Sequence, residues 1–319
     1  MATAEQIKSL IRSHFSEEPE RFHTIALQIA AHEAKQGHAA IAHDIRNLVD
    51  MERKKAGPRI ISFPRDLKGL VLTEDPNTSK QVLVMSDELK ARIDQIIHEF
   101  RQRAKLKSHG LQHRRKILLI GPPGTGKTMT AKVLAHELRV PLNTIQVDRL
   151  VTKFMGETSA KLRQIFDFMY ENVGVYFFDE FDAIGGNRSM ENDVGEMRRV
   201  LNTFLQFIEQ DTSDSLLIAA TNNPQLLDSA LFRRFDDVLY YKNPTEKEIE
   251  LIIRNRLELF IPSRFNWNKV ITCCKSLSQA EIVMSCNDAI KSAILTDKSK
   301  ITAADFISKV ENRNYQHVG

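Results

Sequence analysis

The feature that most constrains this chain is one octapeptide: Gly121, Pro122, Pro123, Gly124, Thr125, Gly126, Lys127 and Thr128. It follows the apolar run KILLI (116–120) and opens a helix, so it reads as strand, loop, helix. It fits the phosphate-loop pattern G-x-x-x-x-G-K-[ST]. In that context the glycines let backbone N–H groups curl around phosphate oxygens, and the helix N-terminus adds positive potential. Lys127 is placed to reach the β- and γ-phosphates, and Thr128 to hold Mg²⁺. Further short apolar runs lie at 143–148, 175–179, 216–221 and 238–241, separated by helical stretches. Near-continuous apolar strands alternating with helices predict a parallel five-stranded sheet covered on both faces, an α/β fold.

Chemistry is expected at the ends of these strands. The run VYFFDE ends in Asp179 and Glu180. In such sheets ligands bind at the C-terminal strand ends, facing the phosphate loop. Asp179 can hold Mg²⁺ through water, and Glu180 can orient or deprotonate an attacking water. Phosphoryl transfer is mostly positioning plus charge stabilisation, so hydrolysis needs both roles. The next strand ends in AATNNP, whose Asn222 can hydrogen-bond the water or the γ-phosphate. The segment DSALFRRFD (228–236) then presents Arg233 and Arg234 side by side. Two arginines on a turn are either surface charge or the groups that stabilise a transferring phosphoryl, often across a subunit boundary.

Around this core the chain divides into three regions, 1–55, 56–242 and 243–319. The first reads as helical, with stripes at Ile7, Leu10, Ile11 and Phe15; at Phe22, Ile25, Ala26, Ile29 and Ala30; and at Ile41, Ile45, Leu48 and Val49. It is a partner-docking or assembly module, closed by the linker KKAGP (54–58). Residues 59–85 look strand-poor. Ser86 caps a long helix through Phe100. The stretch 101–116 then holds seven basic residues and no acid, read as a solvated face that favours nearby nucleotide phosphates. That reading is preferred to a nucleic-acid patch because no aromatics are interleaved. The last region is helical, with a capping box at Thr245–Glu248 and a similar start at Thr302 and Asp305.

Composition narrows the class. The 319 residues carry a net charge of +4, too small to argue for a nucleic-acid partner. No apolar run approaches the roughly 20 residues of a membrane span, and the N-terminus lacks a signal-peptide layout. Cys273, Cys274 and Cys286 read as reduced thiols of a cytoplasmic protein. The histidines lack the carboxylate or cysteine spacing of a metal site. One stretch stays ambiguous: in TKFMGE (152–157) an apolar pair sits on a turn. It is either a small core plug or an exposed gripping surface.

In order and spacing, the phosphate loop, the D-E strand end, the A-T-N tip and the R-R-F-D segment resemble the AAA+ ATPases over roughly residues 60–300, and within them the AAA proper group with katanin, spastin and FtsH. The resemblance implies an ATPase using ATP and Mg²⁺, a helical lid at the C-terminus, and a homo-oligomeric ring, a hexamer. SQAE (278–281) stands where family members carry S-G-A-D, also without a sensor arginine. Many members read R-P-G-R-F-D, whereas here the two arginines are adjacent, as in spastin. KFMGE (153–157) is similar to the family's pore loop, which implies that Lys153, Phe154, Met155 and Gly156 line a central pore and that Phe154 contacts a substrate polypeptide, Gly156 letting the loop turn. The polar loop 185–193 is a second candidate for the pore. A finer resemblance, carried by the N-terminal bundle, residues 195–207 and residues 230–237, is to bacterial stand-alone AAA ATPases, some encoded beside a subtilisin-like serine protease in toxin–antitoxin or anti-phage modules. The resemblance therefore implies a remodeller or threader of a protein partner. A nucleotide-gated clamp on a subtilisin-like protease and a nucleic-acid motor are the alternatives. The chain carries no G-x-S-x-G motif of its own.

Overall fold

The computed structural model describes residues 8, 10, 19–55, 67, 69–150, 155–182, 193–227 and 229–316. The chain forms two compact units, Met1–Arg59 and Ile60–Gly319.

In the first unit, α1 (Pro19–Lys35) and α2 (Ala39–Lys55) pack together, joined through Gly37 at φ +85°. Ile25, Ala26, Ile29 and Ala30 of α1 are buried, with Ala42 and Val49 of α2. The expected α2 stripe is split: Val49 is buried, but Ile41 and Leu48 are 52% and 62% exposed. Ala42 and Val49, seven residues apart, are small enough for the alanine-rich face of α1 to approach closely. Ile7, Ile11, Phe15 and the side chain of Phe22 lie outside the described residues.

The second unit is built on a six-stranded sheet of order β1-β3-β4-β5-β2-β6. Its strands are β1 (Val71–Glu74), β2 (Lys116–Ile120), β3 (Leu142–Ile145), β4 (Val175–Phe178), β5 (Leu216–Thr221) and β6 (Asp237–Tyr240). Five are parallel, and β1 joins β3 antiparallel at one edge. That sixth strand comes from the stretch expected to be strand-poor. It is four residues long and partly exposed, so it carries little periodic signal. Its pairing is nonlocal, with Thr73 Oγ1 donating to Asn143 Oδ1 at 2.8 Å. The run at 143–148 is also shorter than expected, because residues 147–150 turn into a helix.

Side chains of each strand alternate between two cores. Leu118, Ile120, Tyr176, Phe178, Leu217 and Ala219 face α5 (Met155–Glu171) and α6 (Asp193–Gln210). Ile117, Leu119, Val175, Phe177, Ile218 and Ala220 face α3 (Asp87–Arg101) and α4 (Lys127–Leu138). Phe204 centres the first core, with ring centroids 4.7 Å from Phe181 and 5.1 Å from Phe178. Each such ring pair adds about 0.5–1.5 kcal/mol beyond its buried area. Both faces of the sheet are thus covered, as near-continuous apolar strands require.

A third core belongs to α7 (Glu246–Leu257), α8 (Trp267–Cys274), α9 (Gln279–Leu295) and α10 (Ala303–Gln316), joined by Val84. Capping boxes open α7 at Thr245/Glu248 and α9 at Ser278/Glu281. Thr302 and Asp305 bond reciprocally at the start of α10, and Ser86 caps α3. All three cysteines are free, and burial pushes the thiols of Cys274 and Cys286 up to about 12. No helix among the described residues is long and apolar enough to cross a membrane.

The basic run 101–116 is only partly solvated, with Arg101, Lys105 and Lys107 exposed but Arg115 and Lys116 buried, and it lies away from the phosphate loop. Arg115 is buried and donates to Asp211 Oδ2 at 2.6 Å and Ser213 O at 2.9 Å. Arg101 pairs with Glu137, Lys107 with Asp214, and Arg114 with Glu99 and Asp237. The run ends where β2 begins, while the phosphate loop starts where β2 ends. Five strand residues put about 17 Å between them.

His113 sits in the same corner, 2% exposed, with its ring edge-on to Phe100 at 5.5 Å. Neither ring nitrogen has a hydrogen-bond partner among the described residues. Burial first, then Arg115, Arg103 and Lys107, hold its pKa below the usual histidine value, against the pull of Asp214. The folded chain therefore keeps a neutral imidazole that the unfolded chain protonates near pH 6.5. The resulting stability is fully present above about pH 6.5 and is lost as pH falls through that value toward the folded pKa. The urea midpoint is expected to be lower at about pH 5 than at about pH 7.5, and His113→Phe to shrink that difference. An undiminished difference in the variant would assign the pH dependence to other groups.

Candidate nucleotide site

The strand order sets β2 between β5 and β6, and β5 between β4 and β2. Ile120 aligns with Thr221 and Phe178 with Ala219. The C-terminal ends of β2, β4 and β5 therefore adjoin, and the three sequence motifs meet on one edge of the sheet.

The phosphate loop is shaped by what surrounds it. Gly121 N–H donates to Thr221 O at 3.2 Å, and a Cβ at Gly121 would meet Tyr241 O at 2.5 Å. Gly124 has φ +73°, and a Cβ there would lie 2.6 Å from Ser278 Oγ at the start of α9. No other residue fits either place, because the β6 exit strand and the C-terminal helices touch the loop directly. Ala280 N–H donates to Gly124 O at 3.0 Å, and Gln279 Nε2 to Val84 O at 2.6 Å. Thr125 Oγ1 braces the loop from within by donating to Pro122 O at 2.8 Å.

Lys127 and Thr128 begin α4. Lys127 is buried, and its ammonium donates to Gly121 O at 2.7 Å, Pro122 O at 2.8 Å and Asn222 Oδ1 at 2.7 Å. Burial lowers its pKa, and Asp179 and Asp182 pull it back up. Two backbone carbonyls and one amide hold this cation where incoming phosphate oxygens can replace them. Thr128 Oγ1 donates to Asp179 Oδ2 at 3.0 Å, and Asp179 Oδ1 accepts from Glu180 N–H at 3.0 Å. A hydroxyl and a carboxylate that close are a hard-oxygen pair suited to Mg²⁺. Glu180 is exposed, with a left-handed backbone at φ +51°. Such a conformation is uncommon for a residue with a Cβ and clusters at functional sites. No glycine or other residue signal marks it in the sequence.

These groups line a cavity of about 1120 Å³. Pro123, Gly124, Gly126, Lys127, Thr128, Asp179, Glu180 and Asn222 line it together with the apolar Val82, Leu83, Ile252, Val283 and Met284 and the polar Arg254, Asn255, Arg256 and Glu258. A phosphate loop and apolar side chains lining one cavity are what a nucleotide site needs. Sequence reading missed the apolar lining, which comes from Val82 and Leu83 upstream and from two helices far downstream. It also missed Asp182, whose Oδ1 accepts from Thr221 Oγ1 at 3.1 Å. A second acid two residues after Glu180 was the available signal.

Arg233 and Arg234 follow the short helix Ser229–Phe232. Arg234 Nε donates to Glu209 Oε1 of α6 at 2.7 Å. Arg233 is exposed and has no hydrogen-bond or ion-pair partner among the described residues. Lys153, Phe154 and the loop 185–192 lie outside the described residues. Met155 and Gly156 form the first turn of α5 rather than a turn before it. Glu157 in that turn faces the positive helix end and favours the early start.

A family model described as "ATPase family associated with various cellular activities (AAA)" matches residues 117–243. The chain is 32% identical to an uncharacterized AAA family ATPase, y4kL, of Sinorhizobium fredii, over all of this chain and 98% of that protein. It is 31% identical to a proteasome-activating nucleotidase of Methanoregula boonei, over 63% of this chain and 48% of the relative. It is 28% identical to the ATP-dependent zinc metalloprotease FtsH 1 of Methylacidiphilum infernorum, over 80% of this chain and 42% of the relative. With a full-length relative and the site in place, the chain is a nucleotide-binding ATPase of the AAA family.

Proposed function

We propose that this ATPase hydrolyses Mg-ATP within a hexameric ring in the cytoplasm and uses the energy to remodel or thread a protein partner through a central pore. The observation that carries the reading is the convergence of Lys127, Thr128, Asp179, Glu180 and Asn222 at adjoining strand ends. Bound Mg²⁺ would neutralise phosphate charge as it develops. Thr128 and Asp179 would hold the ion. Lys127 would leave its two carbonyl partners for phosphate oxygens while Asn222 keeps it aligned. Glu180 would take a proton from, or orient, the attacking water. Gly121, Pro122, Pro123, Gly124, Thr125 and Gly126 would shape the backbone cradle. The N-terminal unit would recruit the partner or support assembly, and the α7–α10 region would act as a lid.

The names of two relatives, a proteasome-activating nucleotidase and an ATP-dependent zinc metalloprotease, support a polypeptide as the object of work. They equally suit the second reading, a clamp on a separate serine protease. The nucleic-acid reading loses part of its support, because Arg101, Lys107, Arg114 and Arg115 of 101–116 are committed to ion pairs. Threading and clamping part at Phe154. Phe154→Ala is expected to keep most ATPase activity and to lose action on an unfolded model substrate, measured as substrate-stimulated hydrolysis and unfolding of a tagged reporter. Undiminished action would favour clamping. A fall in melting temperature with loss of ATP binding would favour a core plug, since truncating a buried Phe costs about 3–5 kcal/mol.

A further inference from the structure

Thr221, the last residue of β5, is fully buried and joins three parts of the site. Its carbonyl accepts the Gly121 N–H that starts the phosphate loop, at 3.2 Å. Its hydroxyl accepts the Asn223 N–H at 3.1 Å, fixing the tip that carries Asn222. The same hydroxyl donates to Asp182 Oδ1 at 3.1 Å. A buried hydroxyl needs such partners, and this one uses both its donor and its acceptor capacity.

The Asp182 end of this junction bears on Glu180. A left-handed residue with a Cβ persists only where its surroundings over-determine it. Upstream, Asp179 is tied to Thr128 Oγ1 and to Glu180 N–H. Downstream, Phe181 is fully buried and its N–H donates to Ala220 O at 2.8 Å. Asp182 is the next residue, and its bond to Thr221 is a side-chain tie from the turn to β5. Without it the turn keeps its backbone bond to Ala220 but loses its side-chain tie to β5.

We propose that Asp182 and Thr221 are a positioning pair: they hold Glu180 and Asn222 in fixed relation to the phosphate loop without touching nucleotide themselves. This rests on the roles proposed above for Glu180 and Asn222. A displacement of about 1 Å at reacting atoms can cost about 10²-fold in rate. The pair is therefore a lever on turnover rather than on binding.

The test compares Thr221→Val, Thr221→Ser, Asp182→Ala, Asp182→Asn and Glu180→Gln in the full chain. Readouts are kcat and KM for ATP, Kd for a fluorescent ATP analogue, melting temperature, and assembly by light scattering. Thr221→Val and Asp182→Ala are expected to lose about 10–10²-fold in kcat, with KM, Kd and assembly little changed. Thr221→Ser keeps the hydroxyl and Asp182→Asn keeps the acceptor oxygen, so both are expected to recover most of the loss. If Val and Ser at 221 behave alike, or the losses follow melting temperature alone, the pair is only structural. If Asp182→Asn is as slow as Asp182→Ala, the charge matters rather than the hydrogen bond, and positioning is overturned. If Glu180→Gln is slow while Thr221→Val and Asp182→Ala turn over normally, the pair fails and Glu180 stands. If Glu180→Gln turns over normally, the role of Glu180 fails, and the pair with it.

Discussion

Glu180→Gln is expected to bind ATP as tightly as the parent chain and to hydrolyse it about 10²–10⁴-fold more slowly, the usual contribution of a positioned general base. Three carboxylates stand at this strand edge, and two are committed. Asp179 accepts from Thr128 Oγ1 and from the Glu180 N–H; Asp182 accepts from Thr221 Oγ1. The Glu180 carboxylate is exposed and has no partner among the described residues. It lines the same cavity as Lys127 and Thr128. The substitution keeps shape and hydrogen-bonding reach and removes only the basic oxygen. The backbone strain at φ +51° is the same for either side chain, so melting temperature should not move. Phosphate release and retention of labelled nucleotide on the purified protein measure the two halves of the expectation. Turnover within about tenfold of the parent would take the general-base role away from Glu180.

What was legible in the sequence follows from how local each feature is. The phosphate loop, the Asp179–Glu180 strand end and the Asn222 tip are contiguous motifs whose chemistry needs fixed spacing, and the parallel topology brings them together. The caps at Ser86, Thr245 and Thr302 were legible for the same reason, since a capping side chain and its backbone target lie three residues apart. Nonlocal features were not legible. β1 exists because Val71–Glu74 pairs with β3 some 70 residues later, and no periodicity in four residues announces that. The ion pairs of the basic run at 101–116 were hidden because the partners Glu137, Asp211, Asp214 and Asp237 come later in the chain. The apolar lining of the cavity is gathered from Val82 and Leu83 and from Ile252, Val283 and Met284 of α7 and α9, far apart in the chain. The left-handed backbone of Glu180 has no glycine to mark it. The sequence also left Arg233 and Arg234 equivalent, because adjacency says nothing about which one has a partner at home.

The structure separates those two arginines. Arg234 holds Glu209 on α6, a half-exposed pair whose loss costs little, about 0–1 kcal/mol. Arg233 is exposed and free among the described residues. A surface guanidinium with no partner among the described residues is available to a phosphoryl group held by a neighbour. Arg233→Ala is therefore expected to bind ATP and assemble but to lose about 10³–10⁵ in turnover, the value of an arginine supplied across an interface. Arg234→Ala should keep most activity and show at most a small drop in melting temperature. With an arginine supplied by a neighbour, ATPase activity per chain is expected to rise with protein concentration through the assembly range. Mixing gives the sharper test. Arg233→Ala supplies an intact Lys127 site, and Lys127→Ala supplies an intact Arg233. In co-assembled rings some interfaces join the two intact halves, so hydrolysis should partly recover although each variant alone is inactive. If co-assembly is proven and no activity returns, or if activity per chain is flat with concentration, then Arg233 acts within its own chain or on the fold. If Arg234→Ala proves the dead variant, its bond to Glu209 must break on assembly, and the free guanidinium seen in the single chain is not the one that crosses.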